Sequence, residues 1–231
     1  MGPTRRPLLR CGRVARCTSV TTKRLAACML GFLAAMAFVA AAPTAPTASA
    51  DPCPDVAIVF ARGTDEPAGV GAVGQGFVDA LGSRVGSRTV GVYAVNYPAS
   101  SDLKNSPAAG AADAISHVSG LVSVCPDTRI VLGGHSQGAA VMELVSNQLT
   151  PNVANHVAAN AMFGTPRSGI AQIIFLGNPL PTLAPRFAER TIDLCAPGDL
   201  VCGPGLNYAA HMAYVENGMV NQAADFVAGR L

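Results

Sequence analysis

Tryptophan is missing from all 231 residues, and phenylalanine and tyrosine bring the aromatic share to only 5%. A carbohydrate-binding reading, which leans on flat aromatic faces for stacking, is weakened by that lack. No two cysteines stand at the C-x-x-C spacing of a structural zinc site. No internal repeat and no second domain is visible. Acidic residues are absent from the first 24 positions, which carry seven basic ones: Arg5, Arg6, Arg10, Arg13, Arg16, Lys23 and Arg24.

That lopsided start reads as a leader. Residues 25–42 are apolar and uncharged, and a Pro/Thr/Ala linker closes on Ala48-Ser49-Ala50. A basic region, an apolar region and a small-residue site in this order make a secretory signal peptide over 1–50, with cleavage before Asp51. The apolar run is just long enough to span a membrane, so an uncleaved anchor is the alternative. The small-residue site argues for removal. Leu25-Ala26-Ala27-Cys28 looks like a lipoprotein attachment box, but it stands at the start of the apolar region rather than after it.

Removing the leader reverses the charge balance. The whole chain has 16 basic and 14 acidic residues, a formal +2, and the leader holds seven of the former and none of the latter. Nine basic against 14 acidic residues remain, a formal −5. An acidic exported domain is a poor partner for nucleic acid or anionic lipid by electrostatics alone. Residues 51–231 are long enough for one domain with a good-sized core.

Four cysteines remain after residue 50: Cys53, Cys125, Cys195 and Cys202. An even set in an exported chain implies two disulfides, and four cysteines allow three pairings. We expect Cys53–Cys125 and Cys195–Cys202, the second because it closes the short loop Ala196-Pro197-Gly198-Asp199-Leu200-Val201. Zinc is the alternative for four cysteines, and export favours oxidation over it.

Apolar strand-like runs at 56–61, 90–97, 129–133, 157–163 and 190–194 alternate with helical patterns near 73–81, 108–124, 139–144 and 219–231. Such alternation implies a single-domain α/β fold, a central parallel sheet with helices on both faces. Gly69-Val70-Gly71-Ala72-Val73-Gly74 matches the dinucleotide fingerprint G-x-G-x-x-G. It starts seven residues after its strand, and the next strand ends without the ribose-binding acid, so a Gly-rich loop is the better account.

The most telling segment is Gly134-His135-Ser136-Gln137-Gly138. It reads G-x-S-x-G between the apolar run Arg129-Ile130-Val131-Leu132-Gly133 and the helix former Ala139-Ala140-Val141-Met142-Glu143-Leu144. Strand, tight turn and helix are the context of a nucleophile elbow, where the neighbours two before and two after the serine must be small. A serine nucleophile needs a base and an orienting acid, in chain order Ser, Asp/Glu, His. Of His117, His135, His156 and His211, only His211 follows a carboxylate in a plausible loop. His135, next to the serine at a sharp turn, is expected to pack or shape the pocket. Asp193 falls inside a strand, whereas Asp199 lies in the loop beyond that strand's end, where active sites of parallel sheets gather. The spacing therefore favours Ser136, Asp199 and His211.

These residues resemble the cutinase family, small lidless α/β-hydrolases acting on carboxylic esters, and especially its actinobacterial members. The resemblance runs through Phe60-Ala61-Arg62-Gly63-Thr64, Gly91-Val92-Tyr93-Ala94-Val95-Asn96-Tyr97-Pro98, the elbow, Cys195-x-x-x-Asp199-x-x-Cys202 and His211. It implies a three-layer sandwich, the triad Ser136, Asp199 and His211, and an oxyanion hole at Thr64 and Gln137. His135 departs from the tyrosine common there. The resemblance implies a secreted, monomeric carboxylesterase or lipase that takes an ester or lipid substrate, with transient contact to lipid surfaces and without cofactor or metal. An acyltransferase on the same scaffold and a non-catalytic surface protein are the alternatives. Leu180-Pro181-Thr182-Leu183-Ala184-Pro185 and Leu206-Asn207-Tyr208-Ala209-Ala210 are candidates to line an acyl groove.

Overall fold

The structure, a computed structural model, describes residues 53–231. The expected leader and its cleavage site before Asp51 lie outside the described residues. Five parallel strands, β1 (Val56–Ala61), β2 (Val90–Ala94), β3 (Arg129–His135), β4 (Val157–Phe163) and β5 (Thr191–Leu194), form one sheet in the order β2-β1-β3-β4-β5. The helices are α1 (Gly71–Gly82), α2 (Asn105–Val124), α3 (Gln137–Gln148), the single turn α4 (Pro151–Ala154), α5 (Gly169–Ile174), α6 (Tyr208–Met212) and α7 (Met219–Ala228). A 3₁₀ turn, Pro185–Arg190, leads into β5.

Successive side chains on a strand point to opposite faces, and both faces here are covered. Val59 and Ala61 pack with α2 and α3 against Ala114, Val118, Val141 and Val145. Val56, Ile58 and Phe60 face α1 and α7 and meet Phe77, Leu81, Ala223 and Val227. Every residue of β1 and β4 is buried, which accounts for their unbroken apolar runs. Phe60, Phe77 and Phe163 form a cluster with ring centroids 5.9–6.4 Å apart. Each such ring contributes about 1.5–3 kcal/mol by leaving water.

The strand order fixes where chemistry can occur. β1 lies between β2 and β3, so the chain direction of winding reverses at the β1/β3 pair, a switch point that opens a crevice at the carboxyl ends of the strands. The register brings those ends level: Ala61 pairs with Gly134, His135 with Phe163, and Phe163 with Leu194. The segments after β1, β3, β4 and β5 therefore meet at one edge.

The disulfides join Cys53 to Cys125 and Cys195 to Cys202, the pairing expected from the sequence. The first ties the entry to β1 to the end of α2. The second closes the loop after β5. The second strand is shorter than expected, ending at Ala94, although Val95 still donates to Phe60 O at 2.9 Å. Helices α4, α5 and α6 and the 3₁₀ turn were not anticipated.

Candidate active site

Ser136 sits between β3 and α3 with φ 55° and ψ −119°, a left-handed conformation a side-chain-bearing residue adopts only under constraint. The constraint is close packing. A Cβ on Gly134 would lie 2.2 Å from Gly138 O, and one on Gly138 would lie 1.9 Å from Ala61 O. No side chain fits at either place, so the helix folds straight back over the strand and leaves the serine at the apex.

Gln137 opens α3, and its buried side chain braces the facing loop. Its Nε2 donates to Thr64 Oγ1 (3.0 Å) and Ser100 O (2.8 Å), and its Oε1 accepts from Ser106 Oγ (2.7 Å). The main-chain N–H groups of Gln137 and Thr64 make no hydrogen bond among the described residues. The first is one of the donors that a helix start always leaves free.

His211 lies on α6, 3% exposed, and its Nδ1 donates to Asp199 Oδ2 at 2.8 Å. That leaves Nε2 as the free ring nitrogen. Asp199 is fully buried. Burial alone would raise its pKa, but hydrogen bonds from His211, Tyr214 and Val201 outweigh it and hold the group at about 2. Tyr214 Oη donates to Oδ2 at 2.6 Å, and the Val201 N–H donates to Oδ1 at 2.7 Å. Burial and the Asp199 carboxylate together push the Tyr214 phenol up, so it remains a donor. The loop itself is tight: Asn207 N donates to Gly198 O at 3.0 Å, and Ser168 Oγ caps α5 while donating to Leu200 O at 2.6 Å.

Ser136, His211, Thr64 and Gln137 line one cavity of about 410 Å³, with Leu103, Ile174, Phe175, Tyr208 and Met212 among its apolar walls. No hydrogen bond joins Ser136 to His211 among the described residues, and such contacts commonly tighten only when substrate is bound. The structure thus brings together all five residues expected at the site. Asp193 is elsewhere, beside Arg167 and Thr165. Cys195 and Cys202 stand near Asp199, but their sulfurs are joined to each other and offer no thiolate.

Of the groove candidates, Tyr208 alone lines this cavity, whereas Leu180, Pro181 and Thr182 line a second one beside it. Ala184 is buried in the core and Leu206 is open to solvent. His117 stacks on Tyr93 at 3.5 Å between ring centroids. Sequence reasoning missed Glu66 and Tyr214. Glu66 accepts from the N–H groups of Gly63 (2.6 Å) and Ala72 (2.9 Å), and burial, opposed by those bonds and by His135, leaves its pKa at about 2. Tyr214 had one signal: a phenol three residues beyond the base.

A parallel α/β sheet with a serine elbow defines a hydrolase class, and known relatives sharpen it. The family model for cutinase matches residues 52–231. Carboxylesterase Culp1 of Mycobacterium tuberculosis is 52% identical over 196 residues, covering 85% of this chain and 90% of that protein. Phospholipase Culp4 of the same organism is 43% identical over 232 residues, covering 96% and 95%. The Trichoderma reesei cutinase, solved with a phosphonate inhibitor, superposes with a TM-score of 0.61 at 32% identity, covering 78% and 77%. A solved acetylxylan esterase gives a TM-score of 0.65 at 26% identity, covering 77% of this chain and 99% of that one. The protein is an ester-hydrolysing serine hydrolase. It belongs to the cutinase family.

Proposed function

We propose that Ser136 is the nucleophile, His211 the general base and Asp199 its orienting acid, in two-step hydrolysis of the carboxylic esters of fatty acids. The observation that carries this reading is the His211–Asp199 hydrogen bond of 2.8 Å, buried at the wall of the cavity that holds Ser136. His211 Nε2 takes the Ser136 hydroxyl proton as Oγ bonds to the ester carbonyl carbon. The tetrahedral oxyanion is stabilised by the free N–H groups of Thr64 and Gln137 and by the Thr64 hydroxyl, whose oxygen already accepts from Gln137. Collapse expels the alkoxide, which leaves with the proton from His211. Water then attacks the acyl-enzyme with the same base, releasing the acid and restoring Ser136. Asp199 holds the ring in the tautomer this needs and stabilises its cation.

The apolar cavity wall supports an acyl chain, and Ile173 and Leu176 stand exposed next to the wall residues Ile174 and Phe175, which supports transient docking on a lipid surface. The leader at 1–50 and the two disulfides support export of residues 51–231. Mass spectrometry of protein from the culture medium tests the leader, with a mature mass starting at Asp51 as the expected result.

Covalent labelling by a fluorophosphonate should map to Ser136. Ser136→Ala and His211→Ala should each lower kcat by a factor on the order of 10⁶ with the fold intact by circular dichroism. Labelling at another residue, or hydrolysis retained by both variants, sinks the assignment.

A further inference from the structure

Beside the catalytic cavity lies a second one of about 400 Å³, and Leu103 and Phe175 line both. Each volume falls within the range of about 300–1,000 Å³ usual for small-molecule sites. The walls of the second are mainly apolar, from Pro107 and Leu144 on one side to Pro179, Leu180 and Pro181 on the other. Its outer segment is held in place by Asn147, whose Nδ2 donates to Thr182 O at 2.6 Å.

At the same cavity stands Lys104, the sole lysine after residue 23 in a domain that is otherwise net acidic. Its ammonium makes no hydrogen bond or ion pair among the described residues. The nearest acid in sequence, Asp102, is engaged with the main-chain N–H (3.1 Å) and side-chain amide (2.8 Å) of Asn105. An unpaired cation beside an apolar cavity that adjoins the nucleophile's own cavity matches a ligand with a hydrocarbon chain and an anionic group.

We propose that the second cavity binds the uncut acyl chain of a two-chain lipid ester, a glycerophospholipid, with Lys104 against its phosphate. The chain being cut occupies the catalytic cavity, and the glycerol backbone crosses the Leu103–Phe175 divide. This inference rests on Ser136 as the nucleophile. It predicts a preference that the catalytic cavity alone does not create, because a single-chain ester leaves the second cavity empty.

The test compares kcat/KM for monomeric dioctanoyl phosphatidylglycerol, its one-chain lyso counterpart and neutral dioctanoylglycerol. The full mature chain should prefer the two-chain phospholipid over the one-chain form by about tenfold or more, since even one methylene in an apolar pocket is worth that much. Thr182→Trp, and independently Leu180→Trp, should bring the ratio towards one by filling the cavity. Lys104→Gln should lower the preference for the phospholipid over the neutral diester by about threefold, the scale of an exposed ion pair. A ratio near one in the unmodified protein, or one that both tryptophan variants retain, overturns the proposal. So does an equal fall for a single-chain hexadecanoate, which makes the cavity an extension of the acyl groove. An anionic preference that survives Lys104→Gln overturns the head-group contact. Failure to hydrolyse p-nitrophenyl hexanoate in the unmodified protein strikes instead at Ser136 chemistry, so the two readings fail separately.

Discussion

His135 Nε2 donates to the main-chain carbonyl of His211 at 2.9 Å, so the residue before the nucleophile holds the backbone of the base. The two rings lie 4.9 Å apart between centroids, and His135 is 2% exposed. On its other side His135 Nδ1 faces Glu66 Oε2 at 3.8 Å, too far for a hydrogen bond. Glu66 in turn holds the Gly63 N–H, next to Thr64. One side chain thus stands between the base and the loop that receives the oxyanion.

Removing that contact should slow turnover more than it weakens binding. His135→Phe keeps the ring and leaves a buried carbonyl without this partner, a loss of about 1–3 kcal/mol. We expect kcat to fall about tenfold or more with KM nearly unchanged. His135→Gln, which keeps a donor, should recover part of the loss, and His135→Tyr should stay within about tenfold of the parent, roughly 1.4 kcal/mol in the barrier. Equal rates for the Phe and Gln variants would show that the hydrogen bond is idle.

The Cys195–Cys202 bridge closes a loop whose carboxylate must meet His211, and the Cys202 N–H itself reaches Asp199 Oδ1 at 3.4 Å. Activity should therefore be more sensitive to the bridge than stability is. Cys195→Ser/Cys202→Ser ought to lose about 10²-fold in kcat/KM, the cost of displacing a catalytic group by about 1 Å. Its unfolding free energy should fall by only about 2 kcal/mol, the loop-closure estimate. Denaturant melts and steady-state kinetics on one preparation read both numbers. Full activity with collapsed stability would make the bridge a staple for the fold alone.

Asp199 is charged in the folded protein well below its ordinary pKa of 3.8, because its hydrogen bonds favour the carboxylate. A depressed acid contributes stability that is complete above the unfolded pKa and is lost as pH falls through the folded one. A shift of this size is worth about 2 kcal/mol, lost between about pH 4 and pH 2. Asp199→Asn should flatten the stability curve across that window, read by urea midpoints at each pH. It should also lower kcat by about 10⁴-fold at neutral pH by favouring the wrong His211 tautomer.

Glu143 on α3 is fully buried, and among the described residues its only charged hydrogen-bond partner is Arg167, which also reaches Asp193 at 3.2 Å. Burial raises the Glu143 pKa despite that guanidinium. An acid raised by folding is less favourable to the fold as pH rises past its unfolded value of 4.5. Arg167→Met deepens this by removing the counter-charge, so the variant should be destabilised by about 2–4 kcal/mol at pH 8 and far less at pH 4. A loss independent of pH would point to lost packing instead.

The elements that decide the fold could be read directly from the chain. β1 and β4 lie within the bounds expected for them because strands covered on both faces leave continuous apolar runs. The elbow was readable because its steric demand falls on two fixed neighbours of Ser136. Helices α5 and α6 were not, being short and stabilised by contacts distant in sequence, such as Ser168 with Leu200. Glu66 reaches His135 across 69 positions, and no local pattern marks such a meeting. Leu180, Pro181 and Thr182 were recognisable as apolar wall but not as wall of a different cavity, since only the packing of Phe175 and Leu103 divides the two.

The contact of Gly138 with Ala61 O leaves the nucleophile no room to adjust. Whatever ester arrives must come to a serine whose place is set by backbone touching backbone. Tolerance for different substrates must then be built into segments that do not touch that contact, the 165–183 and 203–212 stretches. Exchanging these between relatives should retune chain-length preference while the reaction rate on a minimal ester stays put. Reshaping the elbow itself would cost the reaction before it altered the choice of substrate.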